Sequence, residues 1–119
     1  MPNPIVHFEI GGADGGALQQ FYAQAFDWEV NAENPMQYGL VEPQTETSIG
    51  GGITAAEQAG VTIYIEVDDL QAYLDRVTAL GGQVVQEITT IPGMVTMALF
   101  ADPAGNVVGI VHEETPPEE

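Results

Sequence analysis

The strongest constraint on this chain is an order of elements that is written twice. Ile5 to Ile10 alternates, with Val6, Phe8 and Ile10 on one face and His7 and Glu9 on the other. Asp14 and the glycines beside it open a helix. Leu18, Phe21, Tyr22, Ala25 and Phe26 fall at helical spacing and predict one apolar stripe. A second strand is expected to begin at Trp28 to Val30, a third runs Gln37 to Val41 after the Asn34-Pro35 turn, and a glycine-rich fourth runs Ser48 to Ile53. Beyond a linker at Ala55 to Gly60, the pattern returns. Val61 to Val67 alternates, Asp68 and Asp69 offer an N-cap, and Leu70, Tyr73, Leu74 and Val77 make a helical stripe that Gly81-Gly82 stops. Three further strands follow at Gln83 to Glu87, Val95 to Phe100 and Val107 to Val111, with Asp102 to Asn106 turning between the last two.

Strand, helix and three strands thus occur twice, an internal repeat at half the chain length. Each half alone buries only one side of its sheet. Two halves side by side can form one curved mixed sheet, with the helices outside and a cleft within. The expected class is α+β, two βαβββ modules. The expected bounds are a single domain over 1–113, with module one at 1–57, module two at 58–113, and a disordered acidic tail at 114–119.

Composition excludes several functions. With 119 residues, 45% of them hydrophobic, one compact domain is the expectation. No apolar run approaches the roughly 20 residues of a membrane span. Met1-Pro2-Asn3-Pro4 lacks the features of a signal peptide, so a cytoplasmic location is expected. Cysteine is absent, which removes disulfides, thiolate nucleophiles and thiolate metal sites. Arg76 is the only Lys or Arg against 18 Asp plus Glu, a formal charge of −17. No basic patch for nucleic acid or an anionic membrane can exist. Phosphate-bearing ligands would find one cationic clamp at most. Neutral or cationic partners are favoured.

Particular residues carry a family resemblance. His7-Phe8-Glu9-Ile10, followed by Phe21-Tyr22, Phe26 and Trp28, resembles the first module of the glyoxalase/bleomycin-resistance/dioxygenase (vicinal oxygen chelate) superfamily. Val67-Asp68-Asp69 leading to Gly81-Gly82 resembles the second module, and Asp102-Pro103-Ala104-Gly105-Asn106 the turn before its last strand. The resemblance implies the glyoxalase/bleomycin-resistance/dihydroxybiphenyl dioxygenase fold and a homodimer. It also implies a divalent metal held by one ligand from the first and last strand of each module. His7 matches the first such position. The other three fall at Gly51 or Gly52, at Thr62 and at Gly109, so the usual metal set looks dismantled.

The residues expected to bind a ligand are His7, Glu9, Thr62, Tyr64, Glu66 and Met97. Met94 and Leu99 are further candidates for the cleft wall. No catalytic residue is assigned. The expected function is binding of a small neutral or cationic molecule without metal or other cofactor. The alternative is a divalent-metal-dependent lyase or dioxygenase, in which His7, Glu9 and Glu66 hold Mn, Fe, Ni or Zn. Gly50-Gly51-Gly52 is no phosphate loop. It reads as strand backbone closely approached by a ligand or a dimer mate. His112 reads as exposed and inert. Ser48 lacks the partners of a nucleophilic triad.

Overall fold

The structure, a computed structural model, describes residues 2–91 and 95–113, the last by its backbone alone. Met94 and the acidic tail 114–119 lie outside the described residues. The elements are β1 (Ile5–Gly12), α1 (Gly15–Phe26), β2 (Val30–Asn31), β3 (Gly39–Val41) and β4 (Gly50–Ala55), then β5 (Gly60–Glu66), α2 (Leu70–Ala79), β6 (Gln83–Ile91), β7 (Val95–Ala101) and β8 (Val107–Glu113). Strand, helix and three strands occur twice, as the repeat predicts. The chain divides into two compact units. One is Val6–Ile63, and the other joins the described residues of Met1–Ile5 and Tyr64–Glu119.

In the Val6–Ile63 unit the strands run in the order β2, β3, β4, β1. β1 lies parallel to β4, and the other neighbours are antiparallel. Asp14 caps α1, its Oδ1 accepting from Ala17 N at 3.0 Å. The apolar stripe expected on α1 is only partly buried. Leu18 and Tyr22 are half-buried, but Phe21 and Phe26 are 59% and 60% exposed. The reason is the narrow contact between α1 and β4. Gly15 fits against the Thr54–Ala55 backbone, and Gly39 lies under the Gln19 side chain, so one helix edge sits close and the far edge stands off. Tyr22 spans outward to Trp28, with ring centroids 5.5 Å apart and planes at 16°, and Trp28 meets Phe8 at 5.7 Å. The second strand is only two residues long and begins at Val30 rather than Trp28, because Trp28 is drawn into this aromatic stack.

In the other unit the order is β5, β8, β7, β6, with β5 parallel to β8. Asp69 caps α2, accepting from Ala72 N at 3.1 Å. Gly81, at φ +103°, supplies the left-handed stop. Leu70 and Leu74 press α2 onto Val67, Ala98 and Ile110, the buried core of this unit. β6 runs four residues past the expected Glu87, because the β-branched Ile88–Ile91 segment keeps pairing with β7 across register shifts. The turn before β8 is drawn together by Asp102. Its Oδ1 accepts from Ala104 N and Asn106 N, and its Oδ2 from Asn106 Nδ2, each at 2.9 Å. These bonds, led by the Asn106 side chain, hold the exposed carboxyl below its ordinary value.

No helix among the described residues is long and apolar enough to cross a membrane.

Candidate functional site

Strand alternation sorts the Val6–Ile63 sheet into two faces. The register pairs Phe8 with Gly51 and Ile10 with Ile53, and α1 covers this side. The opposite side carries His7, Glu9 and Gly52, with Glu9 directly across from Gly52 and Leu40 across Gly52 on β3. Three chemically useful side chains converge there. His7 Nε2 lies 2.9 Å from the Tyr38 hydroxyl. The same hydroxyl hydrogen-bonds the Glu9 carboxylate. The His7 and Tyr38 rings face one another, 6.4 Å between centroids at 13°. All three residues are half-buried.

The glycines are what make room. A Cβ on Gly52 would collide with the Tyr38 ring at Cζ and the hydroxyl. A Cβ on Gly51 would collide with the Phe8 ring on the other face. The close approach read from Gly50-Gly51-Gly52 is therefore real, but the visitors are the chain's own aromatic rings. Tyr38 is itself held by Asn34. The Asn34 amide donates to Tyr38 O at 2.7 Å, and Asn34 Oδ1 accepts from Tyr38 N at 2.9 Å. Gln37, between them, takes a left-handed φ of 53°. Gln19 adds a clip from α1, donating to Gln37 O at 3.2 Å and to Ile53 O at 2.9 Å.

Burial shapes the charges. Desolvation lowers the His7 pKa, so the ring is neutral near pH 7. Desolvation raises the Glu9 pKa, opposed by the Tyr38 hydrogen bond, which favours the carboxylate. The site is thus a neutral imidazole and a partly desolvated acid joined through a phenol. It can accept and donate hydrogen bonds and can hold a proton at more than one atom.

The other expected residues sit in the strands of the second repeat. Tyr64 lies across from Gly109, Leu99 across Gly109 on β7, Glu66 across from Val111, and Met97 across Val111 on β7. They share the face opposite the α2 core. Tyr64 and Met97 are 7% and 9% exposed, and Glu66 is half-buried. Thr62, two residues before Tyr64 on β5, is half-buried. The Tyr64 ring lies on Gly109, where a Cβ would collide with it. His112 is exposed, with its Nδ1 3.1 Å from the Val67 carbonyl.

A metal in the expected positions does not fit these side chains. Of Gly51 and Gly52, the one on the His7 face is Gly52, and it lies under Tyr38. Gly109 lies under Tyr64. Neither position carries a donor side chain. Among the described residues, no group of three or more His, Asp or Glu is arranged to hold a metal ion. Tyr38 and Asn34 escaped the sequence reading as site residues. The signal that could have pointed to them was the glycine run itself, since a strand glycine implies a neighbour in its side-chain space.

Comparisons with known proteins agree with this architecture. The model of the glyoxalase-like domain family matches residues 7–111. The anthracycline biosynthesis protein DnrV of Streptomyces peucetius is 29% identical over 126 residues, covering 87% of this chain and 45% of DnrV. This chain therefore spans less than half of that relative. A glyoxylase-like domain-containing protein of Didymella fabae is also 29% identical, over 89% of this chain and 91% of its own length. Among solved structures, protein BH1468 of Bacillus halodurans superposes over the whole of both chains, with a TM-score of 0.70 at 16% identity. A Streptomyces coelicolor methylmalonyl-CoA epimerase in complex with 2-nitronate-propionyl-CoA superposes over 98% of this chain and all of its own, with a TM-score of 0.66 at 18% identity. At those identities the likeness is one of fold, and it is the mixed-sheet α+β fold that the repeat implied.

Proposed function

Because this chain belongs to the glyoxalase-like domain family, matched over residues 7–111, we propose that it binds a small neutral or cationic molecule at His7, Tyr38 and Glu9, without the metal usual in that family. The observation that carries the reading is the Tyr38 hydroxyl, 2.9 Å from His7 Nε2 and bonded to Glu9. The one imidazole that matches a family ligand position has its Nε2 committed to a phenol. The strand position across from Glu9 is a glycine beneath that phenol.

Charge selects among ligands. The epimerase neighbour is in complex with a CoA derivative. This chain sets one cation against 18 carboxylates, and that cation, Arg76, stacks over Tyr73 with its Cζ 4.7 Å from the ring centroid. Phosphates lack a clamp here, whereas an amine meets a favourable potential and a neutral polar molecule meets no repulsion.

The test is a thermal-shift screen of phosphate-free amines, neutral polar molecules and CoA thioesters, with metal content measured alongside. A ligand at 100 times its dissociation constant stabilises a protein by about 2.7 kcal/mol. Shifts from amines or neutral molecules that disappear in His7→Ala support the reading. Shifts from CoA thioesters alone, or a stoichiometric divalent metal lost in His7→Ala, would overturn it. The metal result would instead favour the reading of a metal-dependent enzyme centred on His7.

A further inference from the structure

The two faces of the Val6–Ile63 sheet are joined at Gln19. Its side chain leaves α1, and its amide nitrogen is bonded to two backbone carbonyls beneath the helix. Nε2 donates to Gln37 O at 3.2 Å and to Ile53 O at 2.9 Å, one hydrogen for each. Gly39 makes that reach possible. It pairs with Ile53 across β3 and β4, and a Cβ on it would lie 2.8 Å from the Gln19 side chain. The Gln37 carbonyl belongs to the peptide that leads into Tyr38, and the Tyr38 ring lies on the other face, over Gly52.

Gln37 is held in a conformation that its own Cβ disfavours. Its φ is 53°, in the left-handed region. Two hydrogen bonds keep it there. Its N–H donates to Asn34 O at 3.0 Å, and its carbonyl accepts from Gln19. Asn34 also bonds the N–H and the carbonyl of Tyr38. The segment from Asn34 to Tyr38 therefore sets the direction in which the Tyr38 side chain departs, and α1 grips that segment through Gln19.

We propose that Gln19 is a positioning residue for the site on the opposite face: by holding the Gln37 carbonyl it keeps Gln37 left-handed, and so keeps the Tyr38 ring on Gly52 with its hydroxyl at His7. Without the grip, Gln37 relaxes to an ordinary negative φ, the peptide entering Tyr38 turns, and the ring leaves its seat. That a ligand binds beside Tyr38 rests on the function proposed above; the place of the ring does not.

The ring current of Tyr38 on the Gly52 α-protons reads the seat by NMR with no ligand present. The wild type should show a Gly52 α-proton moved well away from the ordinary glycine position, and cross-relaxation between the His7 and Tyr38 rings. Gln19→Leu keeps the bulk and removes the donors. Both signals should be lost in it, while the amide shifts of α2 stay in place and report an intact fold. Adding Gln37→Gly to Gln19→Leu should restore both, because glycine takes a left-handed φ unaided. A Gln19 that only packs helix on sheet would not be rescued from position 37. Retention of the Gly52 shift in Gln19→Leu, or its loss without recovery in the double variant, would overturn the proposal. Should Gln19→Leu fail to fold, Gln37→Val carries the test from an exposed position. Its branched Cβ resists the left-handed φ, so it should release Tyr38 with Gln19 in place, and an unchanged Gly52 signal would refute the role. A seated ring in a protein that binds nothing in the screen would sink the binding reading and leave Gln19 as the holder of Tyr38. A ligand bound equally well by wild type and by Gln19→Leu would do the reverse, keeping the binding reading and removing Gln19 from the site.

Discussion

The Tyr38 ring rests on the backbone of Gly52, in the space where any other residue would carry its Cβ. The pair behaves as one unit. Gly52→Ala should push the ring away, cost about 1–3 kcal/mol as an overpacked site does, and break the link between His7 and Glu9. Urea unfolding measures the cost. Gly52→Ala in the background of Tyr38→Ala should cost much less, and equal costs in both backgrounds would show that the two residues are not coupled.

Asn34 should matter more than its place in a surface turn suggests. Asn34→Ala removes both hydrogen bonds to the Tyr38 backbone, an expected loss of about 1–3 kcal/mol. Asn34→Asp keeps the acceptor and loses the donor, so its loss should be smaller. A ranking of wild type, Asp, Ala in melting temperature is the expected order. Equal melting temperatures for all three would contradict the clamp.

His7 and Glu9 give stability opposite pH dependences. The folded His7 pKa lies below the ordinary 6.5, so the unfolded chain takes up this proton first as pH falls. Its contribution is present above about 6.5 and is lost on acidification through the lowered folded value. The folded Glu9 pKa lies above the ordinary 4.5, so its contribution is present below that value and is lost as pH rises through the raised one. Relative to wild type, His7→Gln should gain on acidification below pH 6.5. Glu9→Gln should gain on moving from acid to neutral pH. Urea midpoints across pH 4 to 8, taken as differences from wild type, separate these from the titration of the other carboxylates.

Exposure should govern tolerance on the two helices. Leu74 is 1% exposed, and Leu74→Ala is expected to cost about 2–5 kcal/mol. Phe21 is 59% exposed and meets Tyr22 edge-on at 5.1 Å, so Phe21→Ser should cost no more than about 1 kcal/mol. Chemical denaturation of the two variants distinguishes them, and comparable losses would mean that Phe21 is covered in solution.

Self-repulsion at a charge of −17 should be visible as a salt effect. Raising sodium chloride from about 0.02 to about 0.5 M shortens the screening length several-fold and should raise the melting temperature. A flat or falling melting temperature would show that the carboxylates are spaced well enough not to oppose folding.

The repeat, both N-caps and the Asp102 turn were legible because each is written locally, in alternation or in a side chain bonding two to four residues away. The α1 stripe misled because helical spacing shows which residues share a face, not how wide the partner surface is. Phe21 and Phe26 share the face and overhang it. The site was half legible. His7 and Glu9 were found by alternation on β1. Tyr38 was not, because its meaning lies in a partner 31 residues away, and nothing in Tyr38-Gly39-Leu40-Val41 distinguishes a site residue from a strand residue.

Gly52 and Gly109 also say something about which sequences lie one mutation away. Each sits in the last strand of its repeat, and each is roofed by a tyrosine, Tyr38 or Tyr64. A carboxylate introduced at either glycine would strike the ring above it, so a metal-binding strand pair could be reached from this chain only by displacing a tyrosine as well as adding a ligand.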